Sequence, residues 1–133
     1  MKFNNLPEIN TIKSSSDFDY LKKLAIENNF FEHLNKYAVS TLNLSKIKNF
    51  IIACIEEKEV KTKLTSKPYR IIIDPTNACN LGCPLCPTGL GQSQRTKGIL
   101  KFDDFKKIIN EAEDYCIELH LYNWGEPTLN KNL

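Results

Sequence analysis

Residues 74–87 read DPTNACNLGCPLCP and place Cys79, Cys83 and Cys86 within one short segment. The segment follows the strand-like residues 69–73, so the cysteines lie in the loop that leaves a predicted strand. Three thiols cannot all pair with one another as disulfides, because one is always left over. They can instead converge on one metal centre. An iron–sulfur cube takes four ligands, usually cysteine thiolates, so three local cysteines leave one iron open to another molecule.

The same segment carries a family resemblance that two further stretches share. Residues 79–87 (CNLGCPLCP) resemble the cluster-binding loop of the radical S-adenosylmethionine (radical SAM) enzymes. Residues 122–130 (YNWGEPTLN) resemble that family's Gly-Glu-Pro segment, which follows its second barrel strand. Residues 88–98 are similar to the linker that many members carry between the cysteines and the first barrel helix. The likeness covers residues 69–133 and is greatest to peptide- and protein-modifying members with a SPASM-type extension.

The resemblance implies a cofactor site. Its expected residues are Cys79, Cys83, Cys86, Gly125, Glu126 and Pro127. The cysteines would each ligate one iron of a [4Fe–4S] cluster, and S-adenosylmethionine would chelate the fourth iron through its amino and carboxylate groups. The Gly-Glu-Pro tripeptide would hold the methionine amino group through backbone carbonyls and the glutamate carboxylate. One electron from the cluster would split the sulfonium and release a 5′-deoxyadenosyl radical that abstracts hydrogen from a substrate.

Partners and alternatives follow from the same likeness. It implies a peptide or protein substrate and a small electron donor such as ferredoxin or flavodoxin, with modification of RNA or a small molecule as the alternative. A different reading is a structural zinc module held by the three cysteines and His120. Structural zinc sites usually show two closely spaced ligand pairs, and His120 is remote from the cysteines. Residues 17–63 also allow a non-enzymatic helical interaction domain.

Composition and charge exclude several classes of protein. The chain has 133 residues, of which 41% are hydrophobic and 26% charged, as in ordinary globular domains. Its 18 basic and 16 acidic side chains are well mixed, which gives no support for nucleic-acid binding. The N-terminus lacks the apolar region of a signal peptide, and the longest apolar run, residues 50–55, is too short to span a bilayer. A cytoplasmic location without membrane partners is expected, and it suits five reduced cysteines.

The first half of the chain reads as helical. Residues 1–16 show no periodicity and are expected to form a flexible leader, while 17–66 form an α-helical N-terminal segment. Asn28 is a candidate interruption of the first helical stretch, and a second amphipathic helix is expected over residues 45–61. A polar linker then runs to Pro68, which cannot continue a helix.

The second half of the chain, residues 67–133, is predicted to contain a strand over 69–73, a long loop over 74–100, a helix over 102–115 and a second strand over 117–122. Such a unit gives parallel neighbouring strands, and ligands bind beyond their carboxyl ends, where both motifs lie. The fold class expected is α/β, the N-terminal part of a partial (β/α)6 TIM-like barrel that begins a radical SAM core. Because a complete barrel takes roughly 250 residues, we expect a portion of a longer protein that is inactive alone.

Polar residues on the two predicted strands suggest cross-strand pairs. Strand alternation places Glu118 and His120 on one face, and Arg70 shares a face with Asp74. We therefore predict that Arg70 pairs with Glu118, or Asp74 with His120. Cys54, in an apolar helical run, is expected to be a buried structural residue.

Overall fold

The computed structural model describes residues 15–34, 36–40, 42–92 and 94–132. The fold is a mixture of helices and strands. Its main elements are α1 (Ser15–Glu27), α2 (Lys36–Ser40), α3 (Leu44–Lys58), β1 (Arg70–Ile72), α4 (Phe102–Ala112) and β2 (Glu118–His120). Two 3-10 turns, Phe30–His33 and Pro127–Leu129, complete the described elements. The expected leader lies outside the described residues, except for Ser15 and Ser16, with which α1 begins.

The chain divides into two compact units. One contains residues up to Arg70 together with 114–118, and the other contains 71–113 and 119–133. The first unit has a continuous apolar core. Its buried members are Leu21, Ala25, Phe30, Leu34, Leu42, Ile47, Phe50, Ile51, Cys54 and Ile55. The expectation that Cys54 is buried is therefore confirmed, and burial raises the pKa of its thiol to about 11.

The first helical stretch is interrupted where the sequence indicated. The side-chain amide of Asn28 donates to the carbonyl oxygen of Leu24 over 2.9 Å, just beyond the end of α1. Asn29 then adopts a left-handed conformation with φ 55°, which asparagine tolerates better than most residues. The backbone turn that follows brings Phe31 and Phe50 into a stacked pair with ring centroids 6.0 Å apart.

The C-terminal end of α3 was predicted three residues too late, at residue 61 rather than Lys58. The Val60 amide donates to the carbonyl of Glu57 (3.0 Å), and the Lys61 amide donates to that of Glu56 (2.9 Å). This is the Schellman pattern of helix termination, which places Val60 in the left-handed region with φ 52°. Glycine is the usual residue there, so the sequence carried no visible stop signal.

The linker after α3 is fastened to that helix by a buried carboxylate. Glu56 is 3% exposed and accepts four hydrogen bonds. They come from the amide (2.7 Å) and hydroxyl (2.7 Å) of Thr65, and from the amide (3.1 Å) and hydroxyl (2.6 Å) of Ser66. The Ser66 hydroxyl is the largest cause, followed by the Thr65 donors, and together they lower the pKa of Glu56 to about 2. The polar linker is thus an ordered part of the first unit.

The predicted parallel pairing of the two strands is confirmed, although both strands are shorter than expected. In the first unit, the carbonyl of Tyr69 accepts from the amides of Ile117 (2.8 Å) and Glu118 (3.1 Å). In the second unit, the Ile73 amide donates to the carbonyl of His120 (2.9 Å). Two strands form the sheet within the described ranges, so the partial barrel stays a prediction.

The second unit has few buried residues. Those described as buried are Pro75, Thr76, Ala112 and Asn130. Helix α4 has the expected acidic first turn with Asp103 and Asp104, but Phe102 on the helix is 53% exposed. The apolar stripe of α4 is therefore only partly covered. None of the helices in the described ranges is long and apolar enough to cross a membrane.

Candidate metal centre

The cysteine loop is closed at its base rather than open. Thr76 forms an antiparallel bridge with Ile99. The side-chain oxygen of Asn77 accepts from the Gly98 amide (2.7 Å), and its side-chain nitrogen donates to the Thr96 carbonyl (2.8 Å). The sequence indicated a continuous irregular loop over 74–100, but these contacts pair the base of the loop below the portion that carries the cysteines.

A buried asparagine holds both sides of this base. Asn130 is 4% exposed, and its side-chain nitrogen donates to the carbonyls of Pro75 (3.0 Å) and Leu100 (3.0 Å). The sequence patterns did not single out Asn130 as a site residue. A contact between residues 55 positions apart leaves no periodicity in the local sequence. The only feature that could have pointed to Asn130 is its position at the end of the YNWGEPTLN stretch.

The structure brings the Gly-Glu-Pro segment and the cysteine loop into direct contact. The Glu126 amide donates to the carbonyl of Ala78 over 2.9 Å, one residue before Cys79. At Gly125, an added Cβ atom would overlap the carbonyl oxygen of Thr76. Only glycine permits this approach without a backbone shift. The two motifs therefore share one edge of the sheet, as the rule for parallel strands predicted.

The Glu126 carboxylate caps the short turn that follows it. Its Oε1 atom accepts from the amide (3.1 Å) and the hydroxyl (2.6 Å) of Thr128. These bonds hold the pKa of Glu126 below its ordinary value, so the side chain is anionic at neutral pH. Pro127 occupies the first position of the 3-10 turn, where a missing amide hydrogen costs little.

The three motif cysteines are free thiols with different surroundings. Cys83 is exposed, whereas Cys79 and Cys86 are half-buried. The backbone amides of Gly89 and Thr88 hold the pKa of the Cys86 thiol below its ordinary value, which favours the thiolate that binds metals. Part of the loop is therefore already suited to a ligand role.

The glycine that this loop conformation requires is Gly89, which the sequence reasoning did not name as a site residue. A Cβ atom there would lie 2.9 Å from the Cys83 amide nitrogen and 3.1 Å from the Leu81 carbonyl oxygen. Gly82 is the glycine that was expected to let the loop curl. A Cβ atom added there would meet nothing within 4 Å. Close packing therefore requires glycine at residue 89, whereas no neighbouring atom requires it at residue 82.

The donor set fits a cluster by its chemistry, but its sulfur atoms are not gathered. In the described part of the chain, no three His, Cys, Asp or Glu side chains are grouped so that they could hold a metal ion. Convergence on one centre therefore requires a change of conformation within residues 79–86. Exposure of Cys83 and the open space at Gly82 permit such a change.

His120 does not join the cysteines in such a group among the residues described. Its ring instead packs edge-on against Tyr122, with ring centroids 5.5 Å apart.

Of the two predicted cross-strand pairs, the pair of Arg70 and Glu118 is confirmed, with Nε of Arg70 and Oε2 of Glu118 2.7 Å apart. Asp74 accepts the Trp124 amide through Oδ1 over 3.0 Å, which anchors the residue before Gly125.

Part of the chain is similar to a curated protein. The chain is 30% identical over 82 residues to the PqqA peptide cyclase of Bradyrhizobium diazoefficiens. The match covers 59% of this chain and 20% of that protein, so the chain spans about a fifth of the length of this curated relative. No family model matches the chain, and no solved structure matches it.

Proposed function

We propose that this chain carries the cluster-binding part of a radical SAM enzyme that acts in peptide or protein maturation. The observation that carries the proposal is the hydrogen bond between Glu126 and Ala78, which fixes the Gly-Glu-Pro segment beside the first cysteine. The two motifs are 48 positions apart in the chain yet lie in direct contact. A shared cofactor gives a reason for their contact.

The chain's own residues would have distinct roles. Cys79, Cys83 and Cys86 would bind three irons, and the lowered pKa of Cys86 already favours its ligand form. The anionic Glu126 and the adjacent backbone carbonyls would orient the ammonium group of S-adenosylmethionine. When bound, a [4Fe–4S] cluster supplies the electron for reductive cleavage of S-adenosylmethionine to a 5′-deoxyadenosyl radical.

A peptide substrate is favoured by the similarity to a protein named as a peptide cyclase. Modification of RNA or a small molecule is the alternative, and the evenly mixed basic and acidic residues do not favour RNA.

Residues 67–133 would begin a partial (β/α)6 barrel, and the partly exposed apolar stripe of α4 is a surface that further barrel units would cover. A cytoplasmic setting with a ferredoxin or flavodoxin as electron donor is part of the proposal.

Anaerobic reconstitution with iron and sulfide tests the cluster assignment. We expect a brown protein with about four irons per chain. Replacement of Cys79, Cys83 or Cys86 by serine should remove most of this iron. Cys116→Ser is the matched control, because Cys116 is a half-buried thiol outside the loop.

Three results would reject the proposal. One is a colourless protein that binds zinc through the same cysteines, which would favour the structural module. Another is unchanged iron content in all three cysteine variants, which would show that the iron is bound elsewhere. The third is loss of iron in Cys116→Ser alone.

A further inference from the structure

Beside the cysteine loop, the second unit contains a cavity of about 370 Å³. This volume lies within the roughly 300–1,000 Å³ range of small-ligand pockets. Its lining residues are Asn77, Pro87, Thr88, Gln94, Arg95 and Trp124. Pro87 and Thr88 directly follow Cys86 in the chain, so the cavity adjoins the candidate metal centre.

The walls of the cavity are held in place by contacts already described. Asp74 fixes the backbone of Trp124, and Asn77 fixes residues 96–98. Between these anchors, the guanidinium carbon of Arg95 lies 5.8 Å from the centroid of the Trp124 ring. This is a cation–π distance, and it joins the two sides of the cavity.

The positive charge of Arg95 is available to bind a ligand. Among the residues described, no carboxylate lies within ion-pair distance of its guanidinium. The guanidinium carries its N–H donors in one plane, in a fork that matches a planar acceptor. A carboxylate is the group that matches this fork with two parallel hydrogen bonds.

We propose that the cavity binds a carboxylate of the substrate peptide, with Arg95 as the binding residue and Trp124 as the surface that orients it. The choice of a peptide rests on the proposed function, in which the carboxylate of S-adenosylmethionine binds the open iron. An acidic side chain placed here would hold the peptide next to Cys86 and the cluster.

Binding to the metal-free chain tests this site separately from the cluster. Trp124 is the chain's single tryptophan, so its fluorescence and its indole N–H signal in NMR report on the cavity. The probes are two blocked tripeptides, Ala-Glu-Ala and Ala-Gln-Ala, and S-adenosylmethionine. We expect a saturable change with the glutamate peptide that weakens as salt is raised, and little change with the glutamine peptide.

Variants identify the residue responsible. Arg95→Gln should weaken binding of the glutamate peptide about fivefold, the upper end of the effect for an exposed charge pair. Lys97 is also an exposed cation of this loop but does not line the cavity, so Lys97→Gln should change binding less than about twofold. Equal responses to both peptides, an unchanged Arg95→Gln variant, or a response to S-adenosylmethionine alone would overturn the proposal. Because no iron is present, such a failure leaves the cluster assignment to its own test.

Discussion

The backbone amide of Glu126 and the carbonyl of Ala78 form a 2.9 Å hydrogen bond that joins two motifs 48 positions apart. The bond lies outside residues 79–86, the segment that must rearrange to gather the cysteine sulfurs. The Gly-Glu-Pro segment can therefore keep its position relative to Ala78 while residues 79–86 close. This separation of a fixed edge from an adaptable loop is the basis of the proposed site.

The contact at Gly125 predicts a strong effect of a single methyl group. In Gly125→Ala, the new Cβ would overlap the Thr76 carbonyl oxygen, so the backbone must move. We expect the free energy of unfolding of the metal-free chain to fall by about 1–3 kcal/mol, measured by urea denaturation. Gly98→Ala is the control, because a Cβ atom there meets nothing within 4 Å. Equal stability of the two variants would mean that Gly125 does not approach Thr76 so closely.

The buried Glu56 predicts acid sensitivity of the first unit. Because its hydrogen bonds lower the pKa of the folded state below that of the unfolded chain, its stabilisation is complete above the unfolded value. It is then lost as the pH falls from about 5 toward 2. The thermal midpoint of the wild type should decline over this window more steeply than that of Glu56→Gln. Parallel declines of the two proteins would show that Glu56 is not held by Thr65 and Ser66.

The left-handed Val60 predicts a stabilising substitution. Val60 has φ 52° and is 83% exposed, so its side chain contributes little packing while its Cβ opposes the backbone conformation. Val60→Gly should raise the free energy of unfolding by about 1 kcal/mol in urea denaturation. Val60→Ala keeps a Cβ atom and should gain less than half as much. A destabilised Val60→Gly would indicate that the side chain is needed for packing.

Local patterns predicted the elements well. The helical stripes located α1, α3 and α4, and the β-rich runs located both strands. Alternation along the strands gave the observed Arg70–Glu118 pair as one of two possibilities. These features depend on side chains a few residues apart, or on the regular pairing of two short strands. They are visible in a single sequence for that reason.

The features that shape the candidate site were not visible in this way. Asn130 acts through side-chain bonds to distant carbonyls, and Gly89 matters only because the Cys83 backbone passes close to it. Neither of these contacts produces a periodic pattern in the amino-acid sequence. The motif cysteines were identified by their spacing, but spacing cannot say whether their sulfurs converge. In the described structure they do not, so the ligand role rests on closure of the loop.

Mössbauer spectroscopy of the oxygen-free chain, reconstituted with ⁵⁷Fe and sulfide, tests the central claim most directly. We predict the spectrum of a [4Fe–4S] cluster in which S-adenosylmethionine shifts about one quarter of the absorption, because one iron of the four lacks a protein ligand. A spectrum without such a cluster, or one in which S-adenosylmethionine changes no iron site, would contradict the account.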